Sequence, residues 1–70
     1  MDGYDLRRLR DELGLKQAEA FAAAGIISPN IRSAIERNKP PMPAAEEYER
    51  IASAFRDLAH RRNLEQTEGR

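Results

Sequence analysis

The sequence predicts an all-α domain of four or five short helices, and three observations carry that prediction. Valine is absent and threonine occurs once, so the β-branched residues that fill pleated surfaces come down to five isoleucines and Thr67. Ala, Arg, Glu and Leu dominate, and these residues lose least on entering a helix. Apolar residues recur at spacings of three and four in successive segments. Seventy residues without a cysteine make one small domain and leave out disulfide-stapled scaffolds and thiolate metal sites. Eleven of the hydrophobic residues are alanine, so the core is thin and depends on close helix packing or on a second copy of the chain.

The first helix is expected from Tyr4 to Leu13, with Leu6, Leu9 and Leu13 as its buried stripe. Gly14 ends it in the left-handed conformation, and Leu15 folds back as the hydrophobic contact of that stop. A second helix is expected over residues 16–24, burying Ala18, Phe21 and Ala22, and it too runs into a glycine, Gly25. Ile26 and Ile27 form a tight apolar turn. Ser28 then caps a third helix whose first residue is Pro29, because a proline has no amide to leave unpaired there. The register expected for this helix buries Ile31, Ala34 and Ile35 and turns Asn30, Arg32, Ser33, Glu36 and Arg37 outward, since sinking an unpaired arginine costs far more than exposing it.

Asn38 to Pro43 contains three prolines and reads as a stiff loop. From Ala44 onward Tyr48, Ile51, Ala52, Phe55, Leu58 and Ala59 share one helical face, the clearest amphipathic signal in the chain. Glu46, Glu47 and Glu49 crowd its first turns, and His60, Arg61 and Arg62 are expected in its last, which complements the helix dipole. The domain is expected over residues 1–64, with 65–70 as a frayed tail.

Net charge is zero, so attraction to a polyanion has to come from a local patch. Residues 16–43 hold Lys16, Arg32, Arg37 and Lys39 against Glu19 and Glu36, whereas the segments on either side are each slightly acidic. Arg7, Arg8 and Arg10 lie opposite Asp11 and Glu12 and read as a salt-bridged surface. His60 has no acid beside it, and the Pro40 to Pro43 segment reads as a rigid connection more than as a docking motif. No nucleophile, base and orienting group can be named together, so an enzyme is not expected. Nor is a metal, a cofactor or a small-molecule substrate. No apolar run is long enough to span a membrane, and Met1-Asp2-Gly3 opens no signal peptide, so a cytoplasmic location is expected.

Two short helices joined by a glycine-containing turn, beneath a first helix and before a long one, is the arrangement of a helix-turn-helix DNA reader. The residues also carry a resemblance: Leu6-Arg7-Arg8-Leu9-Arg10-Asp11-Glu12-Leu13-Gly14-Leu15-Lys16-Gln17-Ala18-Glu19, then Ala24-Gly25-Ile26-Ile27-Ser28-Pro29, then Ile35-Glu36-Arg37-Asn38-Lys39. Over roughly Leu6 to Phe55 the chain resembles the Cro/phage-repressor (Xre-like) helix-turn-helix family. That resemblance implies a lambda-repressor-like fold and a small transcriptional regulator, most simply a repressor on an inverted-repeat operator as a homodimer. It also implies phosphate contact near Lys16 and Gln17, base reading by Ser28, Asn30, Arg32 and Ser33, and backbone contacts from Arg37, Asn38 and Lys39. Between Gly25 and Ser28 the chain carries one residue more than the usual turn. The length of the last apolar stripe adds Phe55, Leu58 and Ala59 as an expected dimer contact. The competing expectation is a protein-interaction module, an antitoxin or adaptor on the same fold with DNA binding secondary, which the zero net charge favours.

Overall fold

The computed structural model describes the backbone of residues 1–68 and the side chains of residues 1–65. Its helices are α1 (Gly3–Glu12), α2 (Gln17–Ala23), α3 (Pro29–Glu36) and α4 (Ala45–Glu68). Asp2 starts α1 with a reciprocal cap. Its carboxylate accepts from the Asp5 amide at 3.0 Å, and the Asp5 carboxylate accepts from the Asp2 amide at 2.9 Å.

The three short helices stop in the same way. After α1 the Leu15 amide returns to the Arg10 carbonyl at 3.0 Å and the Gly14 amide to Asp11 at 3.1 Å, with Gly14 at φ 70°. Gly25, at φ 82°, repeats this after α2, with Ile26 bonded to Phe21 and Gly25 to Ala22. The third stop uses an asparagine: Asn38 sits at φ 55°, Lys39 bonds to Ala34, and Asn38 to Ile35. Asparagine is one of the few residues besides glycine that tolerates this conformation. These stops let α1 and α2 pack against the long α4 while α3 packs against α1 and α2.

The core joins Leu6, Leu15, Ala20, Phe21, Ala24, Ile35, Tyr48, Ile51, Ala52 and Phe55. At its centre Phe21 and Phe55 meet edge to face, ring centroids 5.2 Å apart at 78°. Arg50 of α4 reaches the Ala24 carbonyl at the end of α2 (2.9 Å) and pairs with Glu47. The apolar stripe expected on α4 is present, but Phe55 is fully buried and offers no surface for a dimer contact, while Leu58 and Ala59 are half-buried.

Other expectations need correcting. In α2, Ala20 and Ala24 flank the buried Phe21, and Ala18 and Ala22 face solvent. In α3 the inward face is centred later than expected: Ala34, Ile35 and Glu36 are buried, and Ile31 is 41% exposed. The cost of an unpaired buried charge still governs this register, because the buried group is a carboxylate with its own arginine. α4 continues to Glu68, past the expected boundary at residue 64, so His60, Arg61 and Arg62 lie inside the helix and not in its last turn. Of the tail expected to fray, residues 69–70 lie outside the described residues.

Gly3 marks the closest approach between α1 and α3. A Cβ built there would overlap the carbonyl oxygen of Ile35, a backbone atom that has no room to retreat. Alanine is worth up to about 1 kcal/mol more than glycine in a helix. Gly3→Ala is nonetheless expected to destabilise, because α1 must lift from α3. A lower urea midpoint checks this; an unchanged or higher one refutes the close contact.

Candidate nucleic-acid interface

The site begins with Glu36, 3% exposed and the one charged residue buried among the described residues. A carboxylate in that position requires partners that replace water. Arg10 supplies a two-pronged pair, its Nε donating to Oε2 at 2.6 Å and its NH2 to Oε1 at 3.0 Å. Gln17 adds a third donor, Nε2 to Oε1 at 2.9 Å. Arg10 also donates to the Leu15 carbonyl at 2.9 Å, beyond the end of its own helix. Three helices are thus tied at one point, and the hydrogen bond to Glu36 is the main reason the Arg10 guanidinium is held above its ordinary pKa. Asp11 lies 3.6 Å from Arg10, and so forms only a minor part of its surroundings.

The chain of donors continues into α3. The Gln17 carbonyl oxygen accepts from Arg32 Nε at 3.1 Å, and Arg32 NH1 donates to the Ile27 carbonyl at 3.1 Å. Arg32 is half-buried and spends two donors inside the protein, so it braces the α2–α3 turn where free outward exposure was expected. Gln17 likewise has both ends of its amide engaged. Neither interaction is visible as a motif; the spacing of Arg10, Gln17 and Glu36 on three different helices emerges only from the packing.

The remaining predicted residues separate by position. Ser28 caps α3, its hydroxyl oxygen accepting from the Ile31 amide at 3.4 Å. Asn30 is exposed in the first turn of α3, Ser33 is half-buried one turn later, and Arg37 and Lys39 are exposed at the far end. Asn38 departs from the expected backbone contact. Its side-chain oxygen turns inward and accepts from the Gly3 amide at 2.7 Å, capping α1. Lys16 is exposed beside α2, and its amide is taken by the Glu19 carboxylate at 2.8 Å.

That Glu19 carboxylate has a second duty that the sequence did not reveal. Arg62 of α4 donates to both of its oxygens at 2.8 Å, tying the long helix to the start of α2. The bond to Arg62, with the Lys16 amide second, holds Glu19 at about 2, well below the ordinary carboxylate range.

Residues 6–59 match a family model described as helix-turn-helix. The chain belongs to that family, of Cro/C1 type, a family of DNA-binding transcriptional regulation. No curated protein and no solved structure matches the chain. No helix among the described residues is long and apolar enough to cross a membrane.

Two outcomes follow from the network. Removing one partner of a buried pair costs about 3–5 kcal/mol, whereas replacing both with apolar residues is near neutral. Arg10→Met and Glu36→Met are each expected to cut stability by about that much in urea unfolding, with the double variant closer to wild type than either single. Additive losses would show that the pair is not coupled. Because the folded-state pKa of Glu19 is depressed, its contribution is present above the ordinary carboxylate range and lost as pH falls toward about 2. Melting temperatures of Glu19→Gln and wild type should therefore differ near neutrality and converge toward that pH; a constant difference would refute the assignment.

Proposed function

We propose that the protein is a sequence-specific repressor that binds an inverted-repeat operator as a homodimer. The observation that carries this reading is the exposed first turn of α3, bearing Asn30, on a helix locked to α2 through Gln17, Arg32 and Glu36. A reading helix has to be rigid relative to the element that sets its register, since base contacts tolerate little displacement. Asn30 is the base reader, matched to an adenine edge by its paired donor and acceptor. Ser28 and Ser33 flank it. Arg32 acts chiefly by bracing the turn, and Arg37 and Lys39 hold the backbone, as does Lys16.

Zero net charge makes each subunit's phosphate contacts few, which is the physical reason for two copies on a two-part site. Leu58 and Ala59 are the part of the α4 stripe left to serve the subunit contact once Phe55 is assigned to the core. Control by protein concentration, including occupancy of its own promoter, is the simplest regulation for so small a domain.

One observation favours the alternative of an antitoxin or adaptor. Ile26, Ile31, Ile35, Pro41, Met42 and Pro43 line an apolar groove of about 330 Å³ beside α3, and Met42 is 58% exposed. A protein partner would fit such a surface better than a phosphate backbone would.

Selection of duplexes from a random pool, followed by titration at two salt concentrations, separates the readings. The repressor enriches a two-part site, binds it with two chains per duplex, and loses affinity as salt rises. Asn30→Ala costs about 1–3 kcal/mol at one base pair, while Lys39→Ala weakens all sequences alike and flattens the salt slope by about 1. Failure to enrich any duplex, with little binding at either salt concentration, would replace the repressor with the adaptor.

A further inference from the structure

Arg7 read as part of a salt-bridged surface, and the structure gives it a different setting. Asp11, its expected partner one turn on, lies against Arg10 instead, and Arg7 makes no ion pair or hydrogen bond among the described residues. It lines a polar cleft of about 250 Å³ between α1 and α3, together with Arg10, Gln17, Ser33, Glu36 and Arg37. Three guanidinium groups there face a single carboxylate. Glu36 is already neutralised by Arg10, so the charge presented to solvent is that of Arg7 and Arg37, both exposed and both without an acidic partner among the described residues.

Two unpaired arginines on opposite walls of a cleft form a site for an oxyanion, because each fork of N–H donors matches the oxygens of a phosphate. The Ser33 hydroxyl on the same rim is a further donor. We infer that this cleft clamps one phosphodiester of the duplex between Arg7 of α1 and Arg37, the residue that caps the C-terminal end of α3. The inference rests on the DNA-binding reading above and adds α1 to the contact surface. The cleft takes its α3 wall from Ser33 and Arg37, so a nucleic-acid backbone following α3 passes over it. It takes its floor from Arg10, Gln17 and Glu36, so the clamp sits on the rigid junction of the domain. A phosphate held there fixes the angle between α3 and the duplex without reading a base.

The test is titration of the full chain with a random-sequence duplex over a range of salt concentrations, comparing wild type with Arg7→Ala, Arg7→Lys, Arg37→Ala and the Arg7→Ala/Arg37→Ala double variant. Arg61→Ala, on the outer face of α4, removes the same charge away from the cleft. Melting temperatures are expected to stay at the wild-type value, since neither cleft arginine has a partner among the described residues. Arg7→Ala should weaken binding several-fold at low salt and make the slope of log K against log salt shallower by about 0.9. Arg7→Lys should restore the slope, the double variant should lose less than the sum of the singles, and Arg61→Ala should match wild type. If wild type binds and Arg7→Ala binds equally well, the clamp is wrong and the DNA-binding reading stands. If Arg7→Ala and Arg61→Ala lose equally, bulk charge and not the cleft is responsible, and the clamp is again wrong. If wild type itself shows no salt-dependent binding, the DNA-binding reading falls and the clamp with it.

Discussion

A buried carboxylate organises this protein. Glu36, at the end of α3, sits where a hydrophobic residue would cost nothing in desolvation, and it is tolerated because Arg10 of α1 and Gln17 of α2 replace its water. Ion pairs of this kind add little net stability compared with an apolar substitute. What they add is direction: a greasy contact can slide, whereas a bidentate pair with a third donor fixes three helices in one arrangement. The thin, alanine-rich core makes that direction valuable, since few large side chains are available to interlock.

From that junction the structure can be followed outward in both directions. Gln17 passes the constraint to Arg32, and Arg32 to the Ile27 carbonyl, so the turn between α2 and α3 is held by side chains as well as by its Gly25 stop. Ile27, whose carbonyl takes part in this chain, leaves its own side chain 69% exposed. On the other side, Glu19 caps the start of α2 and holds Arg62 of the long helix. The same short helix therefore touches α3 at one end of a polar chain and α4 at another. The exposed residues of α3, proposed above as the contacts to DNA, are mounted on this frame.

Much of the fold was legible in the sequence because its signals are local. Ser28-Pro29 marks a helix start through capping alone, Gly14 and Gly25 mark stops through backbone freedom, and the Tyr48 to Phe55 stripe is amphipathic at helical spacing. The third stop carries no such local signal, because Asn38 does the work of a glycine there, and its side chain caps α1 in place of the expected DNA contact. The long-range polar network was not legible at all. Arg10 and Glu36 are separated by 26 positions, and Arg62 and Glu19 by 43, so nothing in the local pattern of charge announces either pair. Reading Arg10 against its neighbours Asp11 and Glu12 gave a surface salt bridge, and reading Glu36 by periodicity gave a solvent-facing acid. The Arg10–Asp11 pair is present at 3.6 Å, but the bidentate partner of Arg10 is Glu36, across the packing, where helical spacing carries no information.

Amide chemical-shift mapping of the full chain with a duplex selected from a random pool tests the central claim most directly, because it reads every part of the frame at once. Large shifts are expected at residues 28, 30–33 and 37–39 and at Arg7, with the outer face of α4 around Arg61 silent. Shifts confined to the apolar groove or to α4, with the first turn of α3 unaffected, would contradict it.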